Sequence, residues 1–253
     1  MLGSQPVTPV KVDRLESLLA GYSLPLKTFL VDGFHSGFQI SYIGEYSHFE
    51  CPNLQSALHS PDVAFAKLKK EIDAGRVVGP FNAPPFPIFC TSPIGIILKK
   101  TPIHHLSYPK GSSVNYFIPD ESSSVRYATI SDAILILKTL GKGCFMAKTD
   151  IKSAFRIIPV HPLKYPLLSI KWDNEYYFDR CLAMGLKSSC ALFEKFSSSL
   201  ERLATQHLHV SAVIHILDDF LLLRLPKINA AQIYIIFWPC ANSSESPLLM
   251  KRQ

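Results

Sequence analysis

No two cysteines in this 253-residue chain are spaced as CxxC, and none stands at ligand spacing from a histidine. The six cysteines are scattered, which argues against a zinc site and against a compact disulfide framework. Buried thiols in a reducing, intracellular compartment are the expectation. No charged stretch followed by an apolar core opens the chain, so no signal peptide is expected. No apolar run reaches membrane-spanning length, because Asp218 and Asp219 interrupt the best candidate; a membrane partner is not expected. No internal repeat or low-complexity tract stands out. What remains is a globular composition, 47% hydrophobic and 18% charged, with enough chain for a substantial core and one large or two small domains. A formal net charge of +6 is compatible with a polyanionic partner.

Residues 1–54 read as an N-terminal extension. "VDRLESLLAGY" predicts a short helix ended by Gly21, and "FLVDGFHSGFQISYIG" alternates enough to predict a strand pair broken at Gly33 and Gly37. A helix is well signalled from Ser60 to Gly75, with Pro61 in its first turn and Phe65, Leu68 and Ile72 as its apolar face. Its cations Lys67, Lys69, Lys70 and Arg76 fit a solvated face, with phosphate contact as the alternative. Prolines exclude long helices from residues 80–119, where "SPIGIILKK" is the best strand and "YPKGSSVN" an exposed loop carrying Lys110. Thr129 and Asp132 announce a capping box, and Gly141 the end of that helix. A strand from Cys144 delivers Asp150, followed by a turn or short helix. "LLSIKWDNEYYFDRCL" predicts a hairpin turning at Asp173–Asn174. Ser188 or Ser189 opens a helix with Leu192, Phe196, Leu200 and Leu203 at helical spacing. This order predicts an α+β fold, an antiparallel sheet with helices packed on one face.

The stretch "HILDDFLLL" sets Asp218 beside Asp219 between two short apolar flanks. A hairpin with an Asp-Asp turn accounts for it, since Asp tolerates turns. The alternative keeps the hairpin and adds a hard divalent cation that relieves the repulsion. Asp150 follows another strand, and the hairpin and helix between can return the chain beside it. Three carboxylates at one sheet edge carry too much charge for a dry site without cations; Mg2+ (or Mn2+) suits them, and two such ions would clamp the oxygens of a phosphoryl displacement.

Three stretches, "KTDIKSAFRIIPVHP", "LAMGLKSSCALFEKF" and "HILDDFLLL", in this order and spacing, resemble motifs A, B and C of reverse transcriptases. "IDAGRVVGPF" and "HHLSYPKGSSVN" extend the resemblance upstream, toward retrotransposons of the tyrosine-recombinase (DIRS-like) group. It covers roughly residues 53–224; three ordered motifs make it far more specific than one would. It implies a right-hand polymerase-like fingers and palm over 55–225, and RNA-directed DNA polymerase activity by two-metal nucleotidyl transfer from dNTPs to a primer 3′-OH on an RNA or DNA template. Asp150, Asp218 and Asp219 would be the catalytic, metal-binding residues. Ile151, the first backbone amide after Asp150, would meet the triphosphate. Phe155 matches a bulky gate against a ribose 2′-OH, where an aromatic would otherwise be read as core. Gly185 would admit the template and nascent pair closely, with Lys187, Ser188 and Lys110 touching the template-primer. The family's Arg before Ile103 is replaced by Thr101–Pro102, leaving Lys99 or Lys100 to substitute; Ile216 and Ala183 also depart from the pattern. Residues 226–253 form a divergent tail with no recognisable thumb or ribonuclease H. The alternative is a truncated, catalytically impaired relic or nucleic-acid-binding fragment.

Overall fold

The computed structural model describes residues 6–97, 101–208 and 210–225. In chain order these form α1 (Val12–Leu18), α2 (Leu24–Ser36), α3 (Gln55–Leu58), α4 (Pro61–Asp73), β1 (Val77–Phe81), β2 (Ile94–Ile97) and β3 (Thr101–His104). Then come α5 (Ile130–Leu140), β4 (Phe145–Asp150), β5 (Ser169–Trp172), β6 (Glu175–Asp179), α6 (Ser189–His207), β7 (Ala212–Ile216) and β8 (Asp219–Arg224). They gather into two compact units: the described parts of Met1–Thr8, Asp32–Ser124 and Phe155–Ser189, and those of Pro9–Val31, Val125–Ala154 and Cys190–Gln253. Both mix helices with antiparallel strands. No helix among the described residues is long and apolar enough to cross a membrane.

The N-terminal stretch departs from the sequence reading. Of the strand pair expected over 29–44, residues 29–36 belong to α2, and the rest forms no strand beyond an isolated bridge of Phe38 to Val160. Leu30 and Phe34, four residues apart, are both buried, so the helical period outweighs the local alternation. Gly33 faces the ring of Phe38, where a Cβ would collide, and Gly37, at φ 89, ends the helix in a conformation that suits glycine.

In the first unit the sheet order is β1-β6-β5, with β2 and β3 as a separate pair. The β5–β6 turn is Asp173–Asn174, both at positive φ (50 and 59), as a two-residue hairpin of type I′ demands. Leu68 of α4 packs into a core with Val77, Ile94, Ile170, Trp172 and Tyr177. The buried side of α4 is Ala64, Leu68 and Glu71, while Phe65, expected there, is 48% exposed. Glu71 turns inward because cations meet it. Arg76 donates to it from Nε (2.7 Å) and Nη2 (3.1 Å), and Arg156 from Nε (3.0 Å). The Arg156 fork also grips both Asp179 oxygens (2.7 and 2.8 Å) and the Leu182 carbonyl (3.0 Å). Burial alone would raise the Glu71 carboxyl, but the hydrogen bond from Arg76 and the charges of Arg156, Arg76 and Lys67 hold it at about 2.

In the second unit the order is β4-β8-β7. Strand alternation gives this sheet two unlike faces. Val213, His215, Phe220 and Leu222 share a buried face; Ile216, Asp219, Lys148 and Met146 share an exposed one. Leu192, Phe196, Leu200 and Leu203 of α6 are buried, as their spacing predicts. The helix reaches the sheet through polar contacts too. His215 stacks on Phe220 (centroids 5.2 Å apart), and its ring nitrogens meet Glu201 (2.5 Å) and Glu194 (2.9 Å). Burial works against the charged imidazole, but the Glu201 hydrogen bond and the charges of Glu194 and Glu201 prevail and raise its pKa. α5 opens on the expected capping box, Thr129 N–H donating to Asp132 (2.8 Å) and Asp132 N–H to Thr129 (3.3 Å), and closes at Gly141.

Two stability measurements check these networks. Arg156→Leu removes the guanidinium from the buried Asp179 and one of the three cations that meet Glu71, and is expected to cost about 3–5 kcal/mol in chemical denaturation. The Glu71 contribution is fully present above the ordinary carboxylate value of 4.5 and is lost as pH falls toward about 2. Glu71→Gln therefore flattens that part of the acid limb, and an unchanged limb would count against the network. The His215 contribution has the opposite sign: it is fully present below 6.5 and lost as pH rises through the raised folded value. The melting temperature is expected to decline as pH rises above 6.5, and His215→Gln to lose that part of the decline.

Candidate active site

The second unit brings Asp150 to the same end of its sheet as the adjacent pair Asp218–Asp219. β4 and β8 pair in register from Phe145↔Arg224 to Asp150↔Asp219, so those two aspartates lie directly opposite each other and on one face. The hairpin between β7 and β8 turns at Leu217–Asp218, with Ile216 opposite Asp219. The turn is thus not the aspartate pair itself: Asp218 occupies its second position and Asp219 opens β8. Leu217 stands at φ 54, unusual for a bulky side chain. Both turn carbonyls are held, that of Leu217 by Ser197 Oγ (2.7 Å) and that of Asp218 by Ile151 N–H (2.9 Å).

Like charges opposite one another destabilise a sheet, and the site shows the repulsion. Burial raises the Asp218 carboxyl, and the charges of Asp219 and Asp150 push it the same way, against its own backbone hydrogen bond and Lys148. Lys148, on the same face two residues before Asp150, pairs with Asp219 at 3.2 Å. This pair is about half exposed on both sides, so it contributes little to stability. An all-carboxylate donor set is what a hard divalent cation takes. Among the described residues no group of three His, Cys, Asp or Glu side chains is arranged to hold a metal as it stands. The chemistry of the donors fits such an ion, while its cage would require the carboxylates to draw together.

The other sequence-derived residues are distributed differently. The Ile151 amide, expected to face a triphosphate, is engaged by Asp218, because Ile151 continues the chain past the β4–β8 ladder. Phe155 lies in the first unit and is half-buried. Gly185 is exposed, but a Cβ would run into the His104 carbonyl oxygen, so the chain at the end of β3 is itself a reason for glycine there. Lys187 was expected on the template; its ammonium donates to the Ile118 carbonyl (2.7 Å) and pairs with Asp120, which commits it within the protein. Ser188 is fully buried and donates to the Ile40 carbonyl (2.9 Å), so its hydroxyl is not on the surface to meet a phosphate. Ser189 likewise donates to the Ala183 carbonyl (2.7 Å), which turns both hydroxyls to carbonyls preceding the helix or lying beyond it. Lys110 is exposed on its loop. Lys99 and Lys100 lie outside the described residues.

Sequence reasoning missed Asn115. Its amide donates to Ser107 Oγ (2.8 Å) and the Gly185 carbonyl (2.8 Å), and its oxygen accepts from Lys187 N–H (2.8 Å). One side chain thereby fastens the 107–115 loop to the 183–189 loop. A lone Asn after a polar "KGSSV" run gives no sign of burial. Ser197, His215, Glu194 and Glu201 were missed as well, although their helical spacing on α6 and the alternation of β7 hold the signal.

No family model and no curated protein matches this sequence. Among solved structures, the chain is similar to native Prototype Foamy Virus protease-reverse transcriptase at 15% identity and TM-score 0.50, over 86% of this chain and 30% of that one. It is similar to the selenomethionine-labelled CSH mutant of that protein at 17% identity and TM-score 0.50, with the same coverage. The foamy viral protease-reverse transcriptase in complex with an RNA/DNA hybrid matches at 12% identity and TM-score 0.52, over 92% of this chain and 31% of that one. The chain thus spans less than a third of the length of these proteins. At such identities the likeness shows the fold alone: helices and antiparallel sheet arranged as in a reverse transcriptase.

Proposed function

We propose that the chain is a fingers-and-palm portion of a retroelement reverse transcriptase, an RNA-directed DNA polymerase of the DIRS-like group. The observation that carries this reading is the β4–β8 register, which sets Asp150 opposite Asp219 with Asp218 in the adjoining turn. The first and third of the ordered motifs contain these aspartates and the second lies between them in sequence, and the fold is similar to that of a reverse transcriptase. Asp150, Asp218 and Asp219 would hold Mg2+ or Mn2+, which when bound supplies charge neutralisation for the attacking and leaving oxygens of phosphoryl transfer. The chain's own part is to present three carboxylates on one rigid sheet end and to keep the turn in place. Phe155 would gate against ribose, so that dNTPs are the substrates, and the partner is an RNA or DNA template with its primer. A nucleic-acid complex is also what one foamy viral neighbour was solved with.

A second reading, a nucleic-acid-binding fragment with impaired catalysis, is favoured by two observations. Thr101–Pro102 stand where the family carries a phosphate-gripping Arg, and Lys187 and Ser188 are engaged within the protein. Losing one charge-assisted phosphate contact costs roughly 2–5 kcal/mol, about thirty- to several-thousand-fold in rate. Primer extension on an RNA template with dNTPs and Mg2+ separates the readings, with Asp218→Asn as the blank. Slow, non-processive extension abolished by Asp218→Asn is the expected result. A wild-type chain no better than the blank, with primer-template still bound in a salt-sensitive manner, would favour the fragment.

A further inference from the structure

The carboxylate turn is short and exposed to repulsion; the Ile151 amide holds its Asp218 carbonyl, and the other contacts around it come from one stripe of α6. Glu194, Ser197 and Glu201 fall at i, i+3 and i+7, one face of the helix. Ser197 donates to the carbonyl of Leu217, the residue at φ 54. Glu194 and Glu201 close on either nitrogen of His215, which is 8% exposed and stacked on Phe220, the residue immediately after Asp219. His215 and Phe220 pair across the hairpin one step in from Ile216↔Asp219. The stripe therefore holds both the turn and the strand pair beneath it.

We propose that Ser197, Glu194, Glu201 and His215 are positioning residues that fix the Leu217–Asp218 turn, and through it the placement of Asp218 and Asp219 for a divalent cation. This rests on the proposed reading of the three aspartates as metal ligands. None of the four touches the cation; they act on the backbone that carries its ligands. Leu217 at positive φ needs an outside hold because a bulky side chain does not favour that conformation. Asparagine tolerates it better, so Leu217→Asn lessens the need for Ser197. A contact that merely glued helix to sheet would not be relieved by a change at Leu217 alone.

The test reads Mn2+ binding by the rise in melting temperature over a Mn2+ titration, in the whole chain without nucleic acid. Wild type is compared with Asp218→Asn, Ser197→Ala, His215→Phe, Leu217→Asn and the Ser197→Ala/Leu217→Asn double variant, each checked for a cooperative melt. Ser197→Ala is expected to raise the Mn2+ midpoint by roughly two- to tenfold, the worth of one hydrogen bond, and His215→Phe to raise it further. Adding Leu217→Asn to Ser197→Ala should recover part of the loss, a non-additive cycle. If His215→Phe does not fold, the Ser197 and Leu217 cycle decides alone. A Mn2+ response lost in Asp218→Asn but unchanged in Ser197→Ala, or additive with Leu217→Asn, overturns the positioning role and leaves the metal reading intact. A response equal in wild type and Asp218→Asn overturns the metal reading, and this proposal with it.

Discussion

Pairing of β4 with β8 sets two carboxylates face to face across a ladder, with a third in the adjoining turn. That is an unfavourable arrangement for a sheet, and much of the second unit can be understood as what makes it tolerable. The ladder extends five pairs behind the aspartates, from Thr149↔Phe220 to Phe145↔Arg224, and most of its β8 side is buried. Lys148 sets one ammonium against Asp219. The Asp218 carboxyl is raised first by burial and then by the charges of Asp219 and Asp150, against Lys148. A sheet end with uncompensated negative charge is chemically a receptor for cations, and its cost is borne by buried packing one layer away.

The first unit solves a different electrostatic problem in the interior. Arg156 is committed to five acceptors from Glu71, Asp179, Cys181 and Leu182. Its charge is retained in spite of burial because Asp179 lies against its fork. Such a network is no proof of stability, since apolar replacements can match it. Its geometric effect is clearer: α4, β6 and the start of the 181–189 loop converge on one planar guanidinium, which fixes their mutual angles.

Elements governed by local chemistry were legible in the sequence. Asp173–Asn174 favours two positive φ values by itself, and Thr129 with Asp132 closes its own capping box. The apolar stripe of α6 is periodic enough to announce its buried face. What escaped depends on partners far along the chain. Alternation around Phe38 and Ile40 resembled a strand, but α2 is settled by burial of Leu30 and Phe34. Glu71 reads as a surface residue until Arg76 and Arg156 are brought to it, and Phe65 reads as core although the buried side of α4 is Ala64, Leu68 and Glu71. At the sheet end, the return of the chain beside Asp150 was legible from the hairpin and helix between it and the aspartate pair, and the β4–β8 register sets Asp150 opposite Asp219, although the turn is Leu217–Asp218 and not the aspartate pair. Ser188 and Lys187 were read as ligand-facing from motif position, which says nothing of the Ile40 and Ile118 carbonyls that claim them.

The twofold alternation of a strand gives the aspartate hairpin a division of labour. Asp219 and Lys148 lie on the face open to solvent, and His215, Phe220 and Leu222 on the face closed by packing. Neighbouring positions therefore answer to different forces. A change at Asp219 alters charge at an exposed sheet end and leaves packing nearly untouched, whereas a change at Phe220 opens a void and removes the surface on which His215 rests. Leu217 and Asp218, in the turn, lie outside the paired ladder and are both half-buried, so strand alternation does not assign them to either face. Their carbonyls are fixed instead by one hydroxyl from α6 and one amide past β4. The part of the chain with the greatest chemical consequence thus depends on two hydrogen bonds, and a device that must adjust to a cation is better served by such contacts than by a packed core, because hydrogen bonds to a turn can lengthen or re-aim where interdigitated side chains cannot.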